Sequence, residues 1–452
     1  MSNSKNRNIS NMYEDWFLEY ASYVILERAV PKIEDGLKPV QRRILHSMKE
    51  MHDSRYHKVA NIIGNTMQFH PHGDAAIGDA LVNLGQKDLL IDTQGNWGDI
   101  RTGDRSAAPR YIEARLSEFA LEVSFNKPTT KTQLSYDGRK DEPISLPMKF
   151  PLLLAQGAEG IAVGLSTKIL PHNFIELLKA CISILNDKPF KILPDFQTGG
   201  LVDVTQYNQG KRGGRVRIRS HIDILDKHTL KISTIPYSTT TTSLIDSIVK
   251  ANNAGKLKIK SIEDNTAEQI EIIINLVKGV SPDVTIDALY SFTNCEISVS
   301  PNCCVINDNK PEFISVNELL KISTHNTLEY LKLELNYKLS VLKEKWHLLC
   351  LEKIFIENKI YRDIEDCDTW DLIIETILLK LKPFINLLER KITTEDVTKL
   401  TEIKIKKITK YDKLKQKNNI KNIEDEIDEL NNDIKHIVEY TIRYYKHLLK
   451  KY

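Results

Sequence analysis

The chain has 452 residues, 41% hydrophobic and 27% charged, with 63 Lys and Arg against 61 Asp and Glu and a formal net charge of +2. That length exceeds one compact core and sets an expectation of two to four domains in a charge-rich globular protein. Met1 to Asn11 has no apolar signal-peptide core, and no run reaches the ~20 apolar residues of a membrane span. Six cysteines without a Cys-x-x-Cys spacing argue against a disulfide framework or thiolate zinc site, so a reducing cytoplasm is expected.

A polar arm, residues 1–19, contains Tyr13-Glu-Asp-Trp-Phe-Leu18, which reads as a short helix. From Tyr20 to about Val30 apolar residues recur at helical spacing, and Pro31 stops the run. Asp35-Gly-Leu-Lys-Pro39 is a turn feeding a helix over 40–48, with Val40, Ile44, Leu45 and Met48 on one face and Arg42 and Arg43 on another. Lys58 to Met67 and Asp74 to about Gly85 form two short helices joined at His70-Pro-His-Gly73, with Asp74 placed to cap the second. Such a pair either carries a helix into a DNA major groove or is plain packing.

Gln94-Gly-Asn-Trp-Gly-Asp99 and Thr102-Gly-Asp-Arg105 make a glycine-rich loop with no Gly-Lys-Ser/Thr ending and no preceding apolar strand. This argues against a nucleotide site and leaves a close backbone approach to DNA or an ordinary turn. The loop delivers Ser106 to Leu116, which contains Arg110-Tyr111. A phenol can attack a phosphodiester and form a covalent intermediate, but with a pKa near 10 it needs a base, a cation or a metal. An adjacent guanidinium could hold the phosphate and offset its developing charge. The dipeptide alone is common, and its weight comes from context. Arginines cluster at 28, 42, 43, 55, 101, 105, 110 and 115, then at 212, 215, 217 and 219, whereas later cations are mostly lysine. The first third is thus the expected nucleic-acid face.

From Leu134 to about Leu320 the pattern is α+β. Gly157 to Gly164 reads as a small-residue loop, and Gly213-Gly214 as the turn of a hairpin whose second strand, Arg215 to Arg219, alternates basic and apolar residues. That strand is a solvated face or a binding surface. Further strands are expected over 222–234 and 269–277, and helices over 243–252 and 284–291. Beyond Leu328, Leu331, Leu335, Leu339, Leu342, Trp346 and Leu349 form one helical seam, and Ile423, Ile427, Leu430, Ile434 and Ile437 a second. They flank a helical insert over about 366–415, broken at Pro383 and Thr393-Thr394. Matched seams fit an antiparallel coiled coil with a small domain at its tip; the alternative is a plain helical bundle.

Five stretches, Asp35 to Leu45, Phe69 to Asp74, Asp92 to Gly98, Ala107 to Tyr111 and Gly160 to Gly164, resemble in order the A subunits of bacterial type IIA DNA topoisomerases, and the likeness runs from about Tyr20 to the end. It implies an α+β, multidomain fold: an arm over 1–19, a winged-helix breakage-reunion domain over 20–145, a tower domain over 146–325, and a coiled coil with an exit-gate insert over 326–452. It implies that Tyr111 is the nucleophile, leaving a 5′-phosphotyrosyl link and a free 3′-hydroxyl, with Arg110 stabilising the transition state and Arg28 as another active-site arginine. Lys38, His70 and His72 would contact DNA, and Ile161 would wedge between base pairs to bend it; Arg42 and Arg43, on the basic face of the 40–48 helix, are added as expected DNA contacts. On its own, His70-Pro-His72 is also a capped turn, and the proline disfavours a metal site formed with Asp74.

The resemblance places Mg²⁺ and ATP on a separate B subunit, giving an A₂B₂ assembly in which each A chain supplies one tyrosine, at the chromosome in the cytoplasm. The chain stops at Tyr452, where relatives continue into a β-pinwheel, and it lacks gyrase's DNA-wrapping motif. Tyr-Glu-Asp-Trp, Ala-Pro-Arg-Tyr and Gln-Gly-Asn-Trp-Gly also look more like topoisomerase IV than gyrase. Decatenation and relaxation are expected, without negative supercoiling. Ala75 stands where many relatives carry a quinolone-binding serine. Two rival readings are the cleavage chain of a gyrase and a non-enzymatic dimeric DNA-binding protein, which would leave Arg110-Tyr111 idle.

Overall fold

Helical periodicity at the start of the chain yields one continuous helix, Ile9–Val24, that widens into a π-helical turn, Ile25–Ala29, and ends where Val30 turns extended before Pro31. Tyr13 to Leu18 thus belong to the same helix as Tyr20, not to a separate short one. In this computed structural model, residues 9–364, 367–403 and 410–452 are described. They form two units, one comprising Met1–Thr327 with Tyr444–Tyr452, the other Leu328–Arg443.

In the first unit, Pro39 sits in the opening turn of helix Pro39–Glu50, where a missing N–H costs nothing. Ile44, Leu45 and Met48 share one core with Ile62 and Ile63 of helix Val59–Thr66 and Ile77, Leu81 and Leu84 of helix Asp74–Gly85. Contrary to the expectation from its position, Asp74 does not cap that last helix. Gly73 occupies the cap, and Asp74 is the first helical residue, its Oδ1 accepting the Ala75 N–H at 2.9 Å. Beside these helices lies a three-stranded antiparallel sheet with Glu113–Leu116 between His57–Lys58 and Ile91–Gln94.

One buried ion pair anchors this region. Asp35 accepts from Arg42 Nε at 2.6 Å and Nη2 at 2.9 Å, from the Leu37 N–H at 3.0 Å and from the Leu146 N–H at 2.9 Å. Both side chains are inside, at 0% and 5% exposure. The carboxylate therefore fastens the turn before helix Pro39–Glu50 to a segment more than a hundred residues away.

The rest of the first unit is α+β. Ala158–Ile161 pairs with Ser166–Ile169, so the predicted small-residue loop is a hairpin. Gly213-Gly214 is not the tip of a two-strand hairpin. Strand Val216–Arg219 pairs instead with Leu201–Asp203 and Glu296–Val299, while the Gly214 N–H donates to the Lys211 carbonyl at 3.0 Å in a local turn. The expected alternation is present, with Val216 and Ile218 inward and Arg217 and Arg219 outward. The 222–234 stretch splits into strands Ile222–Asp226 and Thr229–Ile232, which join Ile272–Leu276 and Ile259–Asp264 in an antiparallel sheet. Helices Thr241–Asn253 and Pro282–Phe292 pack on its core.

The second unit takes in most of the 42-residue helix Val316–Glu357 and the helices Lys410–Lys435 and Ile437–Lys451 up to Arg443. The Trp346 indole N–H donates to Glu424 at 3.0 Å, while the Tyr440 phenol is pushed up by burial and by the charges of Asp433 and Glu334. Position 346 thus faces 424 and position 334 faces 440, the antiparallel order expected of the two seams. Between them, Leu351, Phe355, Ile360, Ile377, Leu381, Val397 and Leu400 form a separate small core. Pro383 lies in the 3-10 turn Lys382–Leu387, and Thr393 caps helix Thr394–Thr401 by accepting the Asp396 N–H. Part of the predicted insert, residues 404–409, lies outside the described residues.

Removing one member of a buried ion pair leaves the other uncompensated. Asp35→Ala is expected to cost about 3–5 kcal/mol, read as a shift in the denaturant midpoint. A change under about 0.5 kcal/mol, the range of an ordinary surface substitution, would contradict the anchoring role.

Candidate functional site

Tyr111 sits on a short segment fixed by backbone bonds on both sides. The Val59 and Ala60 N–H groups, at the start of a helix and so without helical partners, donate to the carbonyls of Ile112 at 3.0 Å and Pro109 at 3.1 Å. The Tyr111 N–H closes a turn onto Ala108 at 2.9 Å, and Ile112 is buried. The side chain points outward, 63% exposed, with the Arg110 guanidinium 4.8 Å from its ring centre. The glycine-rich loop buttresses this segment. Trp97 is buried, its indole N–H donating to the Gln94 carbonyl at 3.1 Å, and the Ala107 N–H donates to Asn96 at 2.9 Å. At Gly98, with φ +76°, a Cβ would lie 2.4 Å from the Asp104 carbonyl. The loop is an ordered turn with a structural duty.

Arg28, Lys38, His70, His72 and Ile161 line one cleft of about 1440 Å³. Tyr111 and Arg110 are not among its lining residues, so the expected site residues fall into two groups. Ile161 ends its strand at the hairpin tip, 84% exposed. The hairpin lies tightly on the chain, since a Cβ on Gly160 would come 2.1 Å from the Ala29 carbonyl. Lys38 Nζ donates to the Glu159 carbonyl at 2.6 Å, and burial holds its pKa below the usual lysine value.

One expected DNA contact, Arg42, is corrected, and a second, Arg43, has partners of its own within the chain. Arg42 is buried against Asp35 and the Leu37 carbonyl, and its role is structural. Arg43 grips Glu142 through Nε at 2.7 Å and Nη2 at 2.9 Å, and its Nη1 donates to His70 Nδ1 at 3.2 Å. Charge patterning showed two cations on a helix face but not which way they point. Since a guanidinium only donates, Nδ1 of His70 accepts and the imidazole proton sits on Nε2. Burial, with the charges of Arg43 and His72, lowers the His70 pKa to about 4. His72 stacks edge-on to His70 and shares a hydrogen bond with the Tyr23 hydroxyl. Tyr23 and Glu142 were missed because they lie outside the motifs that drew attention to the histidines.

On the basic strand, Arg217 pairs with Asp203 at 2.8 Å and Arg219 with Glu296, so this face is largely self-neutralised. Among the described residues, no group of three or more His, Cys, Asp or Glu is placed to hold a metal ion, and no helix is long and apolar enough to cross a membrane.

The family model for the A subunit of DNA gyrase/topoisomerase IV matches residues 28–446. The chain is 44% identical to the A subunit of DNA topoisomerase 4 from Borreliella burgdorferi, over 98% of this chain and 71% of that protein. It is 36% identical to the DNA gyrase A subunit of Lawsonia intracellularis over 74% of this chain and 44% of the relative, and likewise 36% identical to that of Mycoplasma pneumoniae over 76% and 44%. The chain spans under half the length of these gyrase relatives.

His172, on the same cleft, is also lowered to about 4 by burial. Between about pH 6.5 and 4 the unfolded chain takes up protons on both residues that the folded chain does not, so stability falls as pH drops through that window. His70→Gln should remove its share of this slope. An NMR titration checks the cause: His70 protonating near its ordinary value of 6.5 would contradict it.

Proposed function

This chain belongs to the family of DNA gyrase and topoisomerase IV A subunits, and from that premise we propose that it is the DNA cleavage and religation subunit of a type II topoisomerase, with Tyr111 as nucleophile. The observation that carries the reading is the exposed Tyr111 phenol beside the Arg110 guanidinium on a backbone pinned by Val59 and Ala60. The Tyr111 oxygen gives up its proton and attacks phosphorus, the bond to the 3′-oxygen breaks, and the departing 3′-oxygen takes up one proton through solvent, so the exchange balances with a free 3′-hydroxyl. Arg110 is placed to meet the phosphoryl oxygens as charge builds. The phosphotyrosyl link keeps the energy of the broken ester, so the reverse attack reseals the strand.

Because the tyrosine and the basic cleft do not line one cavity within a chain, the proposal assigns them to a shared site in an A₂ pair, where the tyrosine of one chain meets the cleft of its partner. Lys38, His72 and Arg28 then hold backbone phosphates, neutral His70 donates through Nε2, and Ile161 wedges between base pairs. The reading places Mg²⁺, a Lewis acid for the departing 3′-oxygen, and ATP on a B subunit in an A₂B₂ assembly. Helix Ile9–Val24 leaves Tyr13, Trp16, Phe17 and Tyr20 exposed, an apolar strip suited to contact with another protein chain.

In the same reading, residues 20–145 form the winged-helix breakage-reunion domain, 146–325 the tower, and 326–452 the coiled coil with the exit gate. The topoisomerase IV role is favoured over gyrase by the broader alignment, 98% of the chain against 74%. The predicted activity is decatenation and relaxation at the chromosome.

With its B subunit, Mg²⁺ and ATP, the wild-type chain should unlink DNA circles, and Tyr111→Phe should abolish this. Arg110→Ala should slow cleavage by about 10²–10³-fold. A mixed dimer of Tyr111→Phe and Lys38→Ala chains tests the shared site: it keeps one intact site and nicks one strand. No nicking would place tyrosine and cleft in the same chain. ATP-dependent negative supercoiling would assign the gyrase role instead, and DNA binding without any adduct would favour the non-enzymatic reading.

A further inference from the structure

Lys87 lies two residues beyond helix Asp74–Gly85, outside the five motifs that carry the family resemblance, yet it lines the same cleft as Lys38. Its Nζ is 3.5 Å from the Gly157 carbonyl, and Lys38 Nζ is 2.6 Å from the Glu159 carbonyl. The two ammonium groups thus rest on alternate carbonyls of one short stretch, at the base of the hairpin that ends in Ile161. Neither forms an ion pair among the described residues. Glu159, the nearby carboxylate, is engaged by Lys168 at 3.0 Å. Burial and the Lys38 charge lower the Lys87 pKa to about 8. Two half-buried cations that repel each other on one cleft, with Lys38 drawing on a Glu159 charge that Lys168 also holds, are unfavourable by themselves, and a further charge of opposite sign would relieve both terms.

We propose that Lys38 and Lys87 together hold one backbone phosphate of the bound duplex at the base of the cleft, beside the hairpin carrying Ile161. This rests on the DNA-cleavage reading and extends it by assigning Lys87 a phosphate. The pair clamps the strand next to the point where Ile161 enters, so that the bend is pinned on its flank. Lysine suits the task because a compact ammonium can hold a carbonyl and a phosphate oxygen at once through separate N–H groups. The plainer alternative is that Lys87 only ties the end of its helix to the hairpin through Gly157.

The two are separated by the salt dependence of DNA binding, since displaced counterions are counted by the slope and not by affinity alone. A fluorescent duplex is titrated with the full chain over a series of salt concentrations, for wild type, Lys87→Met and Lys87→Arg. The proposal predicts weaker binding by Lys87→Met with a slope of log K against log salt shallower by about 0.9, the share of one phosphate contact, and recovery of the slope by Lys87→Arg. An unchanged slope in Lys87→Met, whether or not affinity falls, would overturn it and leave only the structural tie. Absence of binding by wild type would instead sink the DNA-cleavage reading, and this proposal with it.

Discussion

The Asp35 carboxylate is the constraint on which the first unit depends. It takes two N–H groups from Arg42, one from its own turn at Leu37 and one from Leu146. A desolvated carboxylate is tolerable only with such complete satisfaction. By meeting that requirement it orients the start of helix Pro39–Glu50, and with it Lys38 at the cap and Arg43 one turn inside. Arg43 then holds His70 through Nδ1, and His70 packs on His72. One buried charge thus sets the direction of a chain of groups that ends at the cleft.

The tyrosine depends on a different device. Its segment is held by carbonyl bonds to the first N–H groups of helix Val59–Thr66 and by the ordered loop around Trp97. The phenol stays largely exposed beside the Arg110 guanidinium, so a backbone held by these bonds presents an open side chain. This combination suits a nucleophile that must meet a large, stiff polymer, because fixed geometry lowers the entropy lost on reaching a reactive arrangement. The separation of tyrosine and cleft within one chain gives dimerisation a chemical purpose in the proposed mechanism.

Much of the fold was legible because periodicity reports burial directly. The helices around Ile44, Ile62 and Leu81 lie where apolar spacing predicted, and the seams of the second unit run antiparallel as their matched lengths implied. What escaped was direction and distance. Arg42 and Arg43 looked like an exposed basic face, because sequence shows charge but not its partner, and Asp35 and Glu142 lie seven and ninety-nine positions away. Gly213-Gly214 signalled a turn truthfully, but the strand before the turn came from Leu201–Asp203. Lys87 carried no local signal, since its environment is made by Gly157 and Lys38 in other parts of the chain.

The central claim is covalent attack by one phenol, and the most direct measurement is to stop the complete A and B assembly on DNA with denaturant and map any adduct by mass spectrometry. The account predicts a 5′-phosphate esterified to the Tyr111 oxygen and a free 3′-hydroxyl that a polymerase can extend. An adduct on another residue, a 3′-phosphate link, or bound DNA with no adduct would contradict it.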